Sequence, residues 1–211
     1  MTRNYINEYY QQIQSGEVVV GQWIRRLYDR VSSYLLSGAY FYDGQKVEKA
    51  IRFIETFCHH CEGRDDLLKL ELWQKAFVSC LFGICDKNTG YRQFREVALI
   101  VARKNGKSLL AAAIAKYMWL ENGGFGSRVY CLAPKLDQAD IIYNNVWEMC
   151  LLDPAWQQRK DILDSNKKSK VCNDDPELAR HRMTDLYLPS TNSTCKKIAF
   201  SSKKSDGFNP S

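Results

Sequence analysis

Residues 97–116 read VALIVARKNGKSLLAAAIAK, from Val97 to Lys116, and the way this stretch is parsed decides the fold. Glu96 to Val101 is a short, nearly continuous apolar run, as expected of a strand buried on both faces. A polar turn follows, and Ser108 to Leu120 is rich in Ala and Leu, strong helix formers that end at Asn122-Gly123-Gly124 in the manner of a C-cap. Strand, tight turn and helix meet at Gly106-Lys107-Ser108.

That junction is where a phosphate-binding loop places its chemistry. Backbone N–H groups wrap the phosphates while the helix N-terminus directs its partial positive charge at them. The lysine reaches the β- and γ-phosphates, and the Ser/Thr hydroxyl helps hold Mg²⁺. Gly106, Lys107 and Ser108 occupy those positions, but Val101 stands where the usual G-x-x-x-x-G-K-[ST] pattern begins with glycine. The alternative reading is a basic turn with a serine at the start of a helix. The surrounding chain favours the phosphate loop: Arg128 to Pro134 reads as a second buried strand, and Gln138 to Leu151 as a second helix. Strand–helix–strand–helix implies a parallel sheet with right-handed crossovers. Farther on, DLYLP and KKIAF read as two short strands.

Upstream the pattern is helical. Asn4 to Tyr40 carries apolar residues at three- and four-residue steps, and Gln45 to Cys61 repeats Val47, Ile51, Ile54, Cys58 and Cys61 along one face. Trp73, Gln74, Phe77 and Leu81 mark a further helix. With 211 residues, 45% hydrophobic and 26% charged, the composition is that of a folded globular protein. No apolar run is long enough to span a membrane, and MTRNYINEYYQQIQ lacks the apolar core of a signal peptide, so a cytoplasmic location is expected. The eight cysteines are scattered or lie in apolar runs, which favours reduced thiols. A net charge of +6 mildly favours a polyanionic partner.

Several constellations invite chemistry and are discounted. CHHC (Cys58–Cys61) suggests zinc, but Cys58 and Cys61 continue an apolar stripe and read as core. Lys196-Lys197 and Lys203-Lys204 could touch phosphates of DNA, yet solvated surface lysines explain them as well. Asp65-Asp66 and Asp174-Asp175 follow no apolar strand and receive no role.

ARKNGKS (102–108), taken with YFYDGQKVEKAIRFIETFCHH (40–60), LELWQKAFVSCLFG (70–83), VYCLAPKLDQA (129–139) and SDGFNP (205–210), resembles the large subunit of tailed-phage terminases, the DNA-packaging motors. The resemblance implies an α/β P-loop NTPase of the helicase-like, additional-strand type: an incomplete parallel sheet flanked by helices, with an N-terminal helical segment. The expected division is a helical segment over residues 1–62 and a partial ATPase domain over 63–211.

By position, the resemblance assigns Lys104, Asn105, Gly106, Lys107, Ser108 and Leu109 to the nucleotide loop. It gives Lys107 and Arg103 catalytic roles, the arginine sensing or stabilising the γ-phosphate, and Ser108 the Mg²⁺. Gln74 takes the adenine-side position, where an amide can pair as both donor and acceptor, while Trp73 is expected to pack beside it. ATP and Mg²⁺ are the implied cofactors. Double-stranded DNA, a terminase small subunit, a portal protein and a homo-oligomeric ring are the implied partners, in a bacterial host's cytoplasm.

Hydrolysis by such a loop also needs a strand ending in Asp-Glu, and no apolar run here ends that way. The sequence is therefore expected to be an N-terminal part that stops before this strand, binding ATP weakly if at all and not turning it over, and either aggregating or depending on a partner. A helicase-like P-loop fragment and a non-catalytic prophage remnant stay open as alternatives.

Overall fold

The computed structural model describes residues 2–158, 176–182 and 185–199. They form two compact units: one from Met1–Glu55 and Lys69–Ile100, the other from Thr56–Leu68 and Val101–Ser211. Compactness thus does not follow a single boundary near residue 62. The segment 56–68 packs with the second unit, where Phe57 and Cys61 hydrogen-bond to Lys116 and Asn145.

The first unit is mainly helical. Asn4 starts α1 (Tyr5–Ser15) with its side-chain oxygen accepting from Asn7 N at 3.1 Å, and Gly16 ends it at φ +80°. The left-handed residue breaks what read as one helical stretch from Asn4 to Tyr40. A separate α2 (Gln22–Leu36) follows. β1 (Tyr40–Tyr42) pairs antiparallel with β2 (Ile84–Asp86). α3 (Gly44–Phe57) and α4 (Leu72–Gly83) complete the helices. Ile6, Ile13, Tyr28, Val31, Ala76 and Ile84 make a core against which Trp73 and Phe94 pack, giving Trp73 the packing role expected of it. Since α3 ends at Phe57, the CHHC segment lies beyond the helix rather than on its stripe. Cys58 is nonetheless fully buried, and His59 forms an isolated bridge with Leu67.

The second unit carries the α/β layers. α5 (Lys107–Tyr117) runs into a π-helical turn (Met118–Asn122), then β3 (Arg128–Ala133) and α6 (Leu136–Leu151). β4 (Arg180–His181), β5 (Asp185–Leu188) and β6 (Ser193–Ala199) complete a sheet ordered β3-β6-β5-β4. β3 and β6 are parallel, in a register that sets Val129 opposite Cys195, while β5 is antiparallel to both β6 and β4. The sheet is therefore mixed rather than parallel throughout. β5 reaches β6 through a tight turn with Asn192 at φ +52°, and so short a link joins only antiparallel strands.

The run Glu96–Val101 is not a strand: Ile100 is 94% and Val97 47% exposed. An apolar run becomes a buried strand only where a ladder partner covers it, and none pairs with it among the described residues.

Inside this unit, Lys116 on α5 is 1% exposed. Its ammonium donates to Phe57 O at 2.5 Å and Met149 O at 2.9 Å, and lies 3.7 Å from the Asp153 carboxylate. These carbonyls belong to the last turns of α3 and α6, where a cation also meets the negative end of the helix dipole. The described cysteines are free thiols, and burial pushes those of Cys58, Cys80 and Cys150 up to about 12. Cys172, Asp174-Asp175 and Lys203-Lys204 lie outside the described residues.

Candidate functional site

Two left-handed residues shape the loop before α5. Gly106 has φ +67° and ψ +14°, a conformation in which glycine is unstrained. Lys104 has φ +66°, an uncommon value for a residue with a side chain. Alternation of left-handed and ordinary residues turns successive N–H groups toward one concave side, forming an anion-binding nest. The Asn105 amide braces the turn from within, donating to Ala102 O at 3.3 Å and Arg103 O at 3.4 Å.

The α5 N-terminus is left open. Its cap residue is Gly106, which has no side chain to offer, and its first turn carries no acid. The first intrahelical bond into this cap is Leu110 N to Gly106 O at 2.9 Å. The N–H groups of Lys107, Ser108 and Leu109 thus precede the helical ladder. Arg103, Lys104 and Lys107 are all exposed and have no ion-pair partner among the described residues. Three cations, a helix N-terminus and a nest add with one sign, so the loop attracts anions.

A cleft of about 440 Å³ opens over this loop. Lys104, Gly106, Lys107, Ser108 and Leu109 form one side; His60, Cys61 and Glu62, together with Ile141 and Asn145 of α6, form the other. The 58–68 segment is held by Leu68 N to Cys58 O at 2.8 Å and His60 N to Asp66 O at 2.9 Å. Arg64 donates to His60 Nε2 at 2.9 Å and to the Asp66 carboxylate at 2.9 Å. Because arginine only donates, His60 accepts through Nε2. The Cys61 thiol, pushed up to about 11 chiefly by burial, donates to Asn145 O at 3.7 Å and remains a thiol at neutral pH.

The structure therefore brings together Lys104, Gly106, Lys107, Ser108 and Leu109 at one cleft, with Arg103 and Asn105 in the same turn. Gln74 belongs to the other unit, at the third position of α4. There its Oε1 accepts from Glu71 N at 2.9 Å in a reciprocal capping box. Lys196 and Lys197 are not free surface lysines. They face Asp185 at 3.6 Å and Asp140 at 2.6 Å, and Lys197 also lies over the Tyr143 ring.

A metal fits this cleft only in company. Mg²⁺ is commonly held by one or two protein oxygens plus substrate phosphates. The Ser108 hydroxyl is such an oxygen, while no group of three or more His, Cys, Asp or Glu side chains among the described residues could hold a metal unaided. His60 to Glu62, Ile141 and Asn145 were not foreseen as cleft residues. His60 and Cys61 belong to the CHHC stretch, Glu62 lies just past it, and Ile141 and Asn145 share a helical face whose position against the loop is a tertiary property.

A sequence model of the family described as "Terminase large subunit, ATPase domain" matches residues 72–211. Among solved structures, the chain is similar to the HK97 bacteriophage large terminase, with a TM-score of 0.54 and 22% identity over 78% of this chain. At that identity the likeness speaks for the fold. The chain spans 29% of the length of that terminase. No curated protein matches the sequence significantly. No helix among the described residues is long and apolar enough to cross a membrane.

Proposed function

The chain belongs to the terminase large-subunit family through its ATPase domain, and from that premise we propose that the loop 102–109 binds the phosphates of ATP. The observation that carries this reading is the bare α5 N-terminus beneath the nest formed by Lys104 and Gly106. Lys107 neutralises the β- and γ-phosphates, and the N–H groups of Lys107, Ser108 and Leu109 donate to their oxygens. Ser108 holds Mg²⁺ through its hydroxyl, the remaining positions being filled by phosphate oxygens and water. Arg103 stabilises charge on the γ-phosphoryl group. Gln74 is proposed for the adenine side on the resemblance alone; its capping bond leaves the Nε2 donor and a second lone pair on Oε1.

In the same reading, ATP turnover by the family drives double-stranded DNA into proheads. A small subunit, a portal and further copies arranged in a ring are the partners. These 211 residues supply the nucleotide-binding half of that chemistry. P-loop ATPases hold the metal and activate water with an Asp-Glu pair, and no Asp-Glu pair occurs in this sequence. The division into an N-terminal helical segment and an ATPase domain belongs to this proposal as well.

Equilibrium binding of a fluorescent ATP analogue, with and without Mg²⁺, tests the reading on the chain and on Lys107→Ala. Saturable binding that the substitution abolishes supports it; binding that is indifferent to Lys107 overturns it.

A further inference from the structure

The cleft contains a polar group that the phosphate reading does not use. Asn145 is only 8% exposed. Its backbone carbonyl accepts the Cys61 thiol, but its side-chain amide has no hydrogen-bond partner among the described residues. Neither amide atom is sealed from solvent without a partner, so the amide meets the cleft rather than another protein group. Asn145 lines the cleft that opens over the phosphate loop. Ile141 lies one turn earlier on the same helical face, and Leu109 is on the loop side. An unmet amide flanked by two aliphatic side chains makes a surface suited to a flat heterocycle with a donor–acceptor edge.

We propose that Asn145 is the base-reading residue of this cleft, its amide pairing with the adenine edge while Ile141 and Leu109 pack against the ring. Asparagine matches the adjacent donor and acceptor that adenine presents at N6 and N7, where guanine presents two acceptors, O6 and N7. This inference rests on the assignment of the loop to ATP phosphates. It adds a residue from α6 that the resemblance did not indicate.

The test compares Mg-ATP, Mg-GTP and inorganic tripolyphosphate by titration calorimetry on the full chain, on Asn145→Ala and on Asn145→Leu. The leucine variant is similar in size and removes a polar group without leaving a cavity, so it guards against loss of fold. In both variants ATP affinity is expected to drop about tenfold, the preference for ATP over GTP to vanish, and tripolyphosphate binding to persist. Unchanged ATP affinity, or equal losses for ATP and tripolyphosphate, overturns the base-reading role. If the unsubstituted chain binds neither ATP nor tripolyphosphate, the loop assignment itself fails and this inference falls with it. If Lys107→Ala abolishes both ligands while Asn145→Leu spares ATP, only the base-reading role is lost.

Discussion

The N-termini of α4 and α5 pose the same physical problem and meet it in opposite ways. Each leaves its first N–H groups without helical partners. At α4 the problem is solved internally: Glu71 accepts from the helix while Gln74 reaches back to Glu71 N. At α5 it is not solved at all, because a left-handed glycine occupies the cap, no acid lies in the first turn, and exposed cations surround it. A helix end that closes on itself stabilises the fold, whereas one held open in a strained loop is fit to receive an anion. The far end of α5 shows that the openness is local, since there Lys116 is buried and fully engaged.

The largest expected effect is on that engaged end. Lys116→Met removes the ammonium while leaving Asp153 and two backbone carbonyls without their partner. It should cost about 3 kcal/mol of unfolding free energy, as breaking buried charge pairs does, read as a lower denaturant midpoint. Wild-type stability in this variant would mean that α5 is not anchored as described.

Lys107→Ala should do the reverse, leaving the melting temperature unchanged while weakening ATP about 100-fold, the scale of lost charge-assisted bonds. Parallel loss of stability and binding would erase the distinction between the two ends of α5.

Gln74→Ala opens the α4 capping box and should cost about 1 kcal/mol of stability, measurable by chemical denaturation. Its effect on ATP should be smaller than that of Lys107→Ala; the opposite ranking would make α4, rather than α5, the nucleotide-facing end.

The smallest effect is pH-dependent. Burial, and then the Lys116 charge, hold His59 below its ordinary 6.5. Above that value it is neutral both folded and unfolded and contributes nothing. As the pH falls below 6.5, the unfolded chain takes up a proton that the folded one resists, so stability declines toward acid. His59→Gln should flatten that slope; an unchanged slope would place the titrating group elsewhere.

The phosphate loop was legible because its chemistry is local: Gly106, Lys107 and Ser108 lie at a turn followed by an Ala-rich helix. Gly16 also announces a helix end, although the apolar spacing on either side concealed the break between α1 and α2. Where burial comes from distant residues, local pattern misleads. Val97 to Val101 has the composition of a central strand but no partner among the described residues. Cys58 sits in the core without being on the helix whose stripe it seemed to extend. Asn145 could not be singled out at all, since a helical asparagine is unremarkable until its amide is found without a protein partner, at the cleft beside the loop. Gln74 shows the converse, for Glu71-x-x-Gln74 carries a capping-box spacing that the adjacent tryptophan obscured.

An open α5 N-terminus that binds phosphate is what separates the two ends of this helix. Titration calorimetry of Mg-ATP into the 211-residue chain and into Lys107→Ala, with thermal unfolding recorded on both, tests this most directly. Saturable binding to the first, binding about 100-fold weaker to the second, and matching unfolding curves are the predicted result. Equal binding by both proteins, or none by either, would contradict it.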